Sequence, residues 1–560
     1  MVFGIPKSYG GSFSHRTRKT NLKRLRREEF DLAVIGGGIT GAAIVRDAAL
    51  RGMKVALFEK GDFASGTSSK SSKMIHGGLR YLKQLDIGLV KESLAEREKL
   101  LQLAPHLVHP VPYLIPIYSG WMERIEMHIG LIGYDFLAGD SSLGRHRNLS
   151  PEEVLAREPS LRSEKLYGGF LYHDCLVDDA RLTLATVKSA HEHGSVIVNH
   201  TRATGLTPDT GDVHQLRFQD VLSSKQGKMK ARVVVVAAGP WTDEVLRLCR
   251  HPGPALRPTK GVHLVFRRNR LNVQQVVVVP TEDKRMIFVV PFGEFTFVGT
   301  TDTDYAGSLD RVLVEAADVS YLLDGVNHCF PTLSLGPRDV VSCWAGLRPL
   351  VQGEGAPSQV SRDYDISLYE DGLVVITGGK LTTHRTMAMS LVDQVLERYA
   401  HRLEGEFKPC RTGESALVGG EMAEFSSYLK AQSLGLVRKW GLSETTVDHL
   451  ILSYGRHHMD ILALGLRDRK LLEPIAPGCR VIKAEVIHAV EEEMALTLED
   501  FMSRRTSLLH FGCEHGAPVT VAKLMGKWLG WNRSRRRAEI RRYRETVKEM
   551  FHFRSASYGE

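Results

Sequence analysis

The sequence predicts an α/β protein of dinucleotide-binding type that ends in a helical domain. Three observations carry this expectation. A strand, a glycine turn, a helix and a second strand fall in register between Phe30 and Glu59; apolar and alternating runs recur to about residue 377; and helical spacing takes over after about Gly413.

At 560 residues, with 43% hydrophobic and 25% charged residues, the chain has ordinary globular composition and room for two to four domains. No run approaches the ~18 apolar residues of a membrane-spanning helix, and the N-terminus lacks the apolar core of a signal peptide. The 7 cysteines are odd in number and never spaced C-x-x-C, which argues against a disulfide framework, a zinc ribbon or a dithiol centre and fits a reducing compartment.

The net charge of +9 is unevenly placed. Residues Met1–Arg27 contain no acid, and Arg533, Arg535, Arg536, Arg537, Arg541, Arg542 and Arg544 crowd the tail. Such clusters attract lipid head groups or nucleic acid, or else form a disordered arm and a solvated helix face. Residues 1–28, without periodicity, are expected to be a basic, disordered arm.

After the opening unit, Val90–Leu103 has helical spacing, and Pro105, Pro110, Pro112 and Pro116 then interrupt regular structure. Ser195–Asn199, Val213–Phe218, Arg232–Ala237, His263–Phe266, Val276–Val279, Met286–Pro291 and Thr296–Thr300 read as strands. Glu424–Lys439, Glu444–Leu464 and Ala484–Ser503 read as helices, with a domain boundary near Pro409–Gly420.

In the opening unit each glycine has a task. Gly36 allows the tight turn, Gly38 admits a pyrophosphate to the backbone, and Gly41 lets the helix pack on the strand. The helix N-terminus favours the anion. Glu59, ending the second strand, is set to accept ribose hydroxyls. This fingerprint alone does not separate NAD from FAD.

Later segments choose FAD. Thr67, Ser68 and Ser72 lie in a hydroxyl-rich loop leading to His76, Gly77, Gly78 and Leu79, suited to a pyrophosphate and to a flat ring lying on backbone. Ala237 and Gly239 follow the strand Arg232–Val236, where small residues permit close approach. The strand Gly372–Thr377 runs into Gly378, Gly379, Lys380, Leu381 and Thr382, and the helix they open would stabilise negative charge at the flavin pyrimidine edge.

With these motifs, and with Ser68–Leu82, Asp178–Leu182, Gly239–Trp241, Lys260–His263, Glu282–Arg285, Gly299–Asp302, Gly346–Leu350, Ser361–Tyr364 and Gly378–Thr383, the sequence resembles the FAD-dependent, quinone-linked glycerol-3-phosphate dehydrogenases, of the bacterial aerobic type. Ala484–Ala495 and Arg504-Arg505 resemble the family's helical cap.

The resemblance implies a D-amino-acid-oxidase type of fold. An FAD-binding Rossmann-like domain (29–105, 165–255 and 336–408) is interleaved with an antiparallel-sheet substrate domain (106–164 and 256–335), and a helical domain with the basic tail follows (409–550). It further implies active-site roles for Arg80, Tyr81, His263, Arg348, Arg362 and Lys380. Val262 departs from the small polar residue expected before the histidine.

The chemistry of these residue types agrees. Guanidinium forks suit a phosphate monoester, so Arg80 and Arg362, with Lys380 and Tyr81, are the substrate-binding candidates. Oxidation of a secondary alcohol needs a base, for which His263 is the candidate. Arg348 can orient the hydroxyl and stabilise alkoxide charge.

The expected activity is oxidation of sn-glycerol 3-phosphate to dihydroxyacetone phosphate, with electrons passed to a membrane quinone. The expected place is cytoplasmic, peripheral to the inner face of the cell membrane, with Trp528, Leu529 and Trp531 beside the basic helix resting on anionic lipid. Two alternatives stay open: an oxidase using oxygen, although the oxidases' extra insertion is not seen, and a flavin-bearing nucleic-acid-binding protein, although no such module is present. No nucleic acid is expected as partner, and a homodimer is left open. Asp302–Leu313 begins like a calcium loop but lacks its twelfth-position Glu, and no metal is expected.

Overall fold

The computed structural model describes residues 12–79, 86–139, 141–208, 213–253, 256–283, 285–351, 363–422, 424–512 and 517–555. The apolar run Phe30–Ile35 forms the expected buried strand because both sides of it are taken: it lies between two parallel neighbours. The first sheet comprises β1 (Glu29–Ile35), β2 (Val55–Phe58), β7 (Val196–Val198), β8 (Thr201–Pro208), β9 (His214–Asp220), β10 (Gln226–Val236), β17 (Tyr364–Leu368) and β18 (Leu373–Gly378). Its order is β17-β18-β10-β1-β2-β7, with β8 and β9 extending from β10.

Helices Ile39–Leu50, Asp179–Glu192 and His384–Arg398 cover one face of this sheet through small and branched residues such as Ala42, Ala48, Val187 and Leu391. The N-terminal ends of the first and last of these follow β1 and β18, so both point to the same edge.

The second sheet holds β3 (Met74–Ile75), β4 (Val108–Pro116), β5 (Arg147–Leu149), β6 (Gly169–Val177), β11 (Leu256–Arg267), β12 (Val276–Pro280), β13 (Met286–Phe292), β14 (Phe295–Gly299), β15 (Thr303–Asp304) and β16 (Val340–Val351). All its pairings are antiparallel except β12 with β4. Helix Ala316–Cys329 packs one side, and the aromatic side carrying Tyr113, Tyr172, Phe297 and Trp344 packs against Leu94, Met127 and Leu131 of helices Ile87–Leu103 and Trp121–Ala138.

Several expectations are corrected. Residues 1–28 are not wholly an arm: His15–Arg24 is a helix, capped by Ser14, whose Oγ accepts from the Arg16 and Thr17 amides. Arg18 is buried there, donating to Asn199 and His200 carbonyls and to Asp220 at 2.7 Å. The proline-rich 105–116 region is not a break but mostly β4. Its ladder to β12 spans only Tyr113 and Leu114, so Pro110 and Pro112 occupy an edge that needs no donor.

The expected domain limits shift too, because β6 and β16, assigned to the FAD-binding part, lie in the second sheet.

The helical domain is present, but Glu444–Leu464 breaks at Gly455 (φ 53°), where a Cβ would strike the Gly419 carbonyl. The helix over Ala484–Ser503 ends at Glu492, and Asp500–Arg505 forms a separate π-helical turn. Trp528, Leu529 and Trp531 pack against the core of this domain rather than forming a free face.

Candidate active site

The sequence makes the two sheet-end turns from glycines because side chains would not fit. At Gly36 (φ 119°) a Cβ would lie 2.3 Å from the Ala237 carbonyl oxygen, and at Gly41 only 1.9 Å from that of Gly36. Glu59 folds back onto the same turn. Its Oε2 accepts the Gly37 amide and its Oε1 the Gly61 amide, each at 2.7 Å. Burial pushes the Glu59 carboxyl above the ordinary carboxylate range, the Gly61 and Gly37 amides opposing and Asp62 adding to it.

A close glycine turn, a helix N-terminus and a carboxylate one strand away together fit a dinucleotide. On the far side Gly378 (φ 73°) and Gly379 (φ 85°) bring the second turn to the cleft.

Between the sheets lies a cleft of about 590 Å³. Thr67, Ser72, His76, Gly78, Leu79, His263, Arg348, Gly378, Gly379, Lys380, Leu381 and Thr382 all line it, so the two sequence-distant groups converge. Tyr113, Ile115, Met127, Tyr172 and Phe288 form an apolar wall.

His263 stands on β11, its ring stacked on Trp344 at 4.8 Å and 12°. A Cβ at Gly299 would fall 2.1 Å from that ring. Its Nε2 lies 2.9 Å from the Ser72 hydroxyl, whereas Nδ1 is buried without a partner among the described residues. Burial, with the charges of Arg348 and Lys73, holds the imidazole well below its usual pKa, so it is neutral at pH 7. Arg348, on β16, donates to Asp302 at 2.9 Å and to Thr300 and Thr301.

The hydroxyls expected around the cofactor are engaged by protein. Thr67 donates to the Leu347 carbonyl, Ser68 accepts the Ile39 amide, and Ser72 meets His263. The Thr382 hydroxyl bridges the His76 amide and carbonyl. Gly77 sits too close to Tyr134 and Leu94 for any side chain. Gly38, Gly41, Glu59 and Ala237 stay with the first turn, away from the cleft, and Gly239 (φ 53°) follows Ala237.

Arg80, Tyr81 and Arg362 lie outside the described residues. The cleft also holds Arg285 and Asp302, which sat in recognised motifs without a role; their opposite charges at two loop ends were the available signal. Arg285 donates to the Asp302 carbonyl, so these residues and Arg348 form one network.

A family model for FAD dependent oxidoreductases matches residues 31–394, and one for the C-terminal domain of alpha-glycerophosphate oxidase matches 410–536. The glycerol-3-phosphate dehydrogenase 2 of Mycobacterium tuberculosis (strain ATCC 25618 / H37Rv) is 38% identical over 536 residues, 95% of this chain and 90% of its own. The aerobic glycerol-3-phosphate dehydrogenase of Staphylococcus aureus (strain USA300) is 37% identical over 545 residues, 95% of this chain and 96% of its own. The crystal structure of the glycerol-3-phosphate dehydrogenase from Bacillus halodurans, complexed with FAD, aligns with a TM-score of 0.80 at 31% identity, covering 97% of this chain and 99% of that one.

Proposed function

The chain belongs to the FAD-dependent glycerol-3-phosphate dehydrogenase family, and on that premise we propose that it oxidises sn-glycerol 3-phosphate to dihydroxyacetone phosphate. FAD, when bound, supplies the acceptor for the hydride leaving C2. Gly36, Gly38, Gly41, Glu59, Ala237 and Gly239 cradle the nucleotide end, and Gly77, Gly78 and Gly378–Thr382 the ring end. His263, neutral and facing the cleft, takes the proton of the C2 hydroxyl at Nε2. Arg348, held by Asp302, steadies the oxygen as charge develops on it. The phosphate goes to Lys380 together with Arg80, Tyr81 and Arg362.

One observation carries this reading: a buried neutral histidine, an aspartate-held arginine and a glycine turn opening a helix share one cleft. The test is flavin bleaching in the purified protein under anaerobic conditions, offered glycerol 3-phosphate, glycerol or lactate. Bleaching by the phosphate ester alone is expected; bleaching by glycerol or lactate but not by the ester overturns the reading.

Electrons pass, in this reading, to a quinone in the bilayer. Helix Trp121–Ala138 supports it: Trp121, Met122, Ile125, Ile129, Ile132 and Phe136 are 52–84% exposed along one outer face. No helix among the described residues is long and apolar enough to cross a membrane, so the contact would be peripheral. The opposite face places Met127 in the apolar wall of the cleft. In this reading the lipid contact is assigned to this helix ahead of the tail, where Arg535 and Arg542 pair with Glu539. Turnover with a quinone analogue but not with oxygen is expected; the reverse would favour the oxidase.

A further inference from the structure

We propose that the C-terminal domain is a cofactor clamp, acting through Asp62 as a positioning residue for the loop that carries Glu59. This rests on the reading that Glu59 meets the cofactor ribose. The loop Lys60–Ser65 leaves β2 and returns beneath the glycine turn: the Ala64 amide donates to the Gly37 carbonyl, and a Cβ at Gly37 would strike both Glu59 and Phe63. Glu59 can therefore keep its place only if this loop does.

The loop is fixed from a part of the chain more than four hundred residues away. Arg504 Nε donates to Asp62 Oδ2 at 2.8 Å. Arg505 reaches the same carboxylate with both Nη1 (2.7 Å) and Nη2 (3.0 Å), a bidentate fork. Asn199 donates to Asp62 Oδ1 at 2.9 Å.

All three ionic side chains are buried, and the π-helical turn Asp500–Arg505 delivers both arginines. The two arginines hold the Asp62 carboxyl below its ordinary value against the effect of its burial. The anchorage is itself braced: Arg505 also donates to the Glu493 carbonyl, Asp500 pairs with His200, and the His200 amide donates back to Gly61 in the loop.

Asp62, His200 and Asp500 also bring three potential metal ligands within 4.8 Å. Arg504 already donates to both carboxylates, which identifies the cluster as an ion-pair network and not a cation site.

A buried carboxylate three residues from Glu59, fully spanned by guanidinium groups of the last domain, serves retention of the nucleotide more directly than the general joining of domains. A second buried pair across the same interface, Arg181 with Glu493 at 2.8 Å, touches no residue of the loop; Glu493 also stands 3.9 Å from Arg505, so the comparison is made at Arg181.

The test is titration of apo-protein with FAD, followed by quenching of flavin fluorescence, for the natural sequence and for Asp62→Asn, Arg504→Lys, Arg181→Lys and Glu59→Ala. Asp62→Asn and Arg504→Lys are expected to weaken FAD binding about tenfold, the scale at which groups that orient a first contact act on affinity. Arg181→Lys should leave that affinity unchanged. Arg504→Lys keeps the charge and loses the bridge between Asp62 and Asp500, so it decides the matter if Asp62→Asn does not fold.

Equal weakening by Arg181→Lys and the loop-directed variants would mean a general loosening and overturn the clamp, as would no weakening by either loop-directed variant. Glu59→Ala separates this from the underlying reading. No effect there removes the ribose contact itself; an effect there with none at Asp62 and Arg504 removes only the clamp.

Discussion

The Ser72 hydroxyl lies 2.9 Å from Nε2 of His263, so a residue of the cofactor-side hydroxyl loop is the resting partner of the base. A substrate hydroxyl must displace it to reach the same nitrogen. Ser72→Ala removes one neutral hydrogen bond, an interaction of about 0.5–1.5 kcal/mol. We expect kcat/KM to change by about two- to tenfold with flavin content unchanged. Loss of flavin on purification would instead return Ser72 to the cofactor.

Arg348 should be visible in the pH profile. Burial is the largest cause of the low His263 pKa, and the positive charge of Arg348 the next. Protonation must precede loss of the base, so the acid limb of kcat/KM is expected below the ordinary histidine value of 6.5. Removing the cation in Arg348→Met stabilises imidazolium and moves the limb to higher pH, besides lowering kcat. An unmoved limb would separate His263 from the titrating step.

The glycine turns were legible in the sequence because their cause is local: the close approach at Gly41 is to Gly36, five residues away. The partners of Thr67 and Ser72 were not, since Leu347 and His263 lie far along the chain and a hydroxyl carries no mark of what it will bond. Arg18 misled for a related reason. Its surroundings are basic and unpatterned, but Asp220 and the Asn199 carbonyl, both distant, make it a buried anchor. Helix Trp121–Ala138 is apolar on two faces, and only its packing separates Leu131 inside from Ile129 outside.

Glu493 makes stability depend on acid pH. Burial alone would raise its carboxyl, but Arg181, His488 and Lys188 draw it from 4.5 down to about 2. A carboxyl lowered in the folded state contributes stability that is complete above its unfolded value and is lost as pH falls from 4.5 toward 2. Glu493→Gln should cost about 3 kcal/mol near neutrality, because Arg181 is left buried without its counter-ion. It should also flatten the fall of the thermal midpoint on acidification. An unchanged slope would assign that acid sensitivity to other carboxylates.

The outer face of helix Trp121–Ala138 should decide membrane attachment. Ile129 and Phe136 are 65% and 84% exposed, and burying such side chains in the lipid interface gains roughly 1.5–3 kcal/mol each. Ile129→Glu and Phe136→Glu are therefore expected to reduce binding to phospholipid vesicles at least about tenfold each. Turnover with a soluble acceptor should persist, because neither side chain lines the cleft. Glu126 is exposed on the same helix, so insertion of apolar groups outweighs charge and neutral vesicles should bind nearly as well as anionic ones. Replacing Arg541 and Arg544 by Gln should then change little. Vesicle binding that survives both helix variants but disappears on neutralising the tail would return the lipid contact to the basic C-terminal helix.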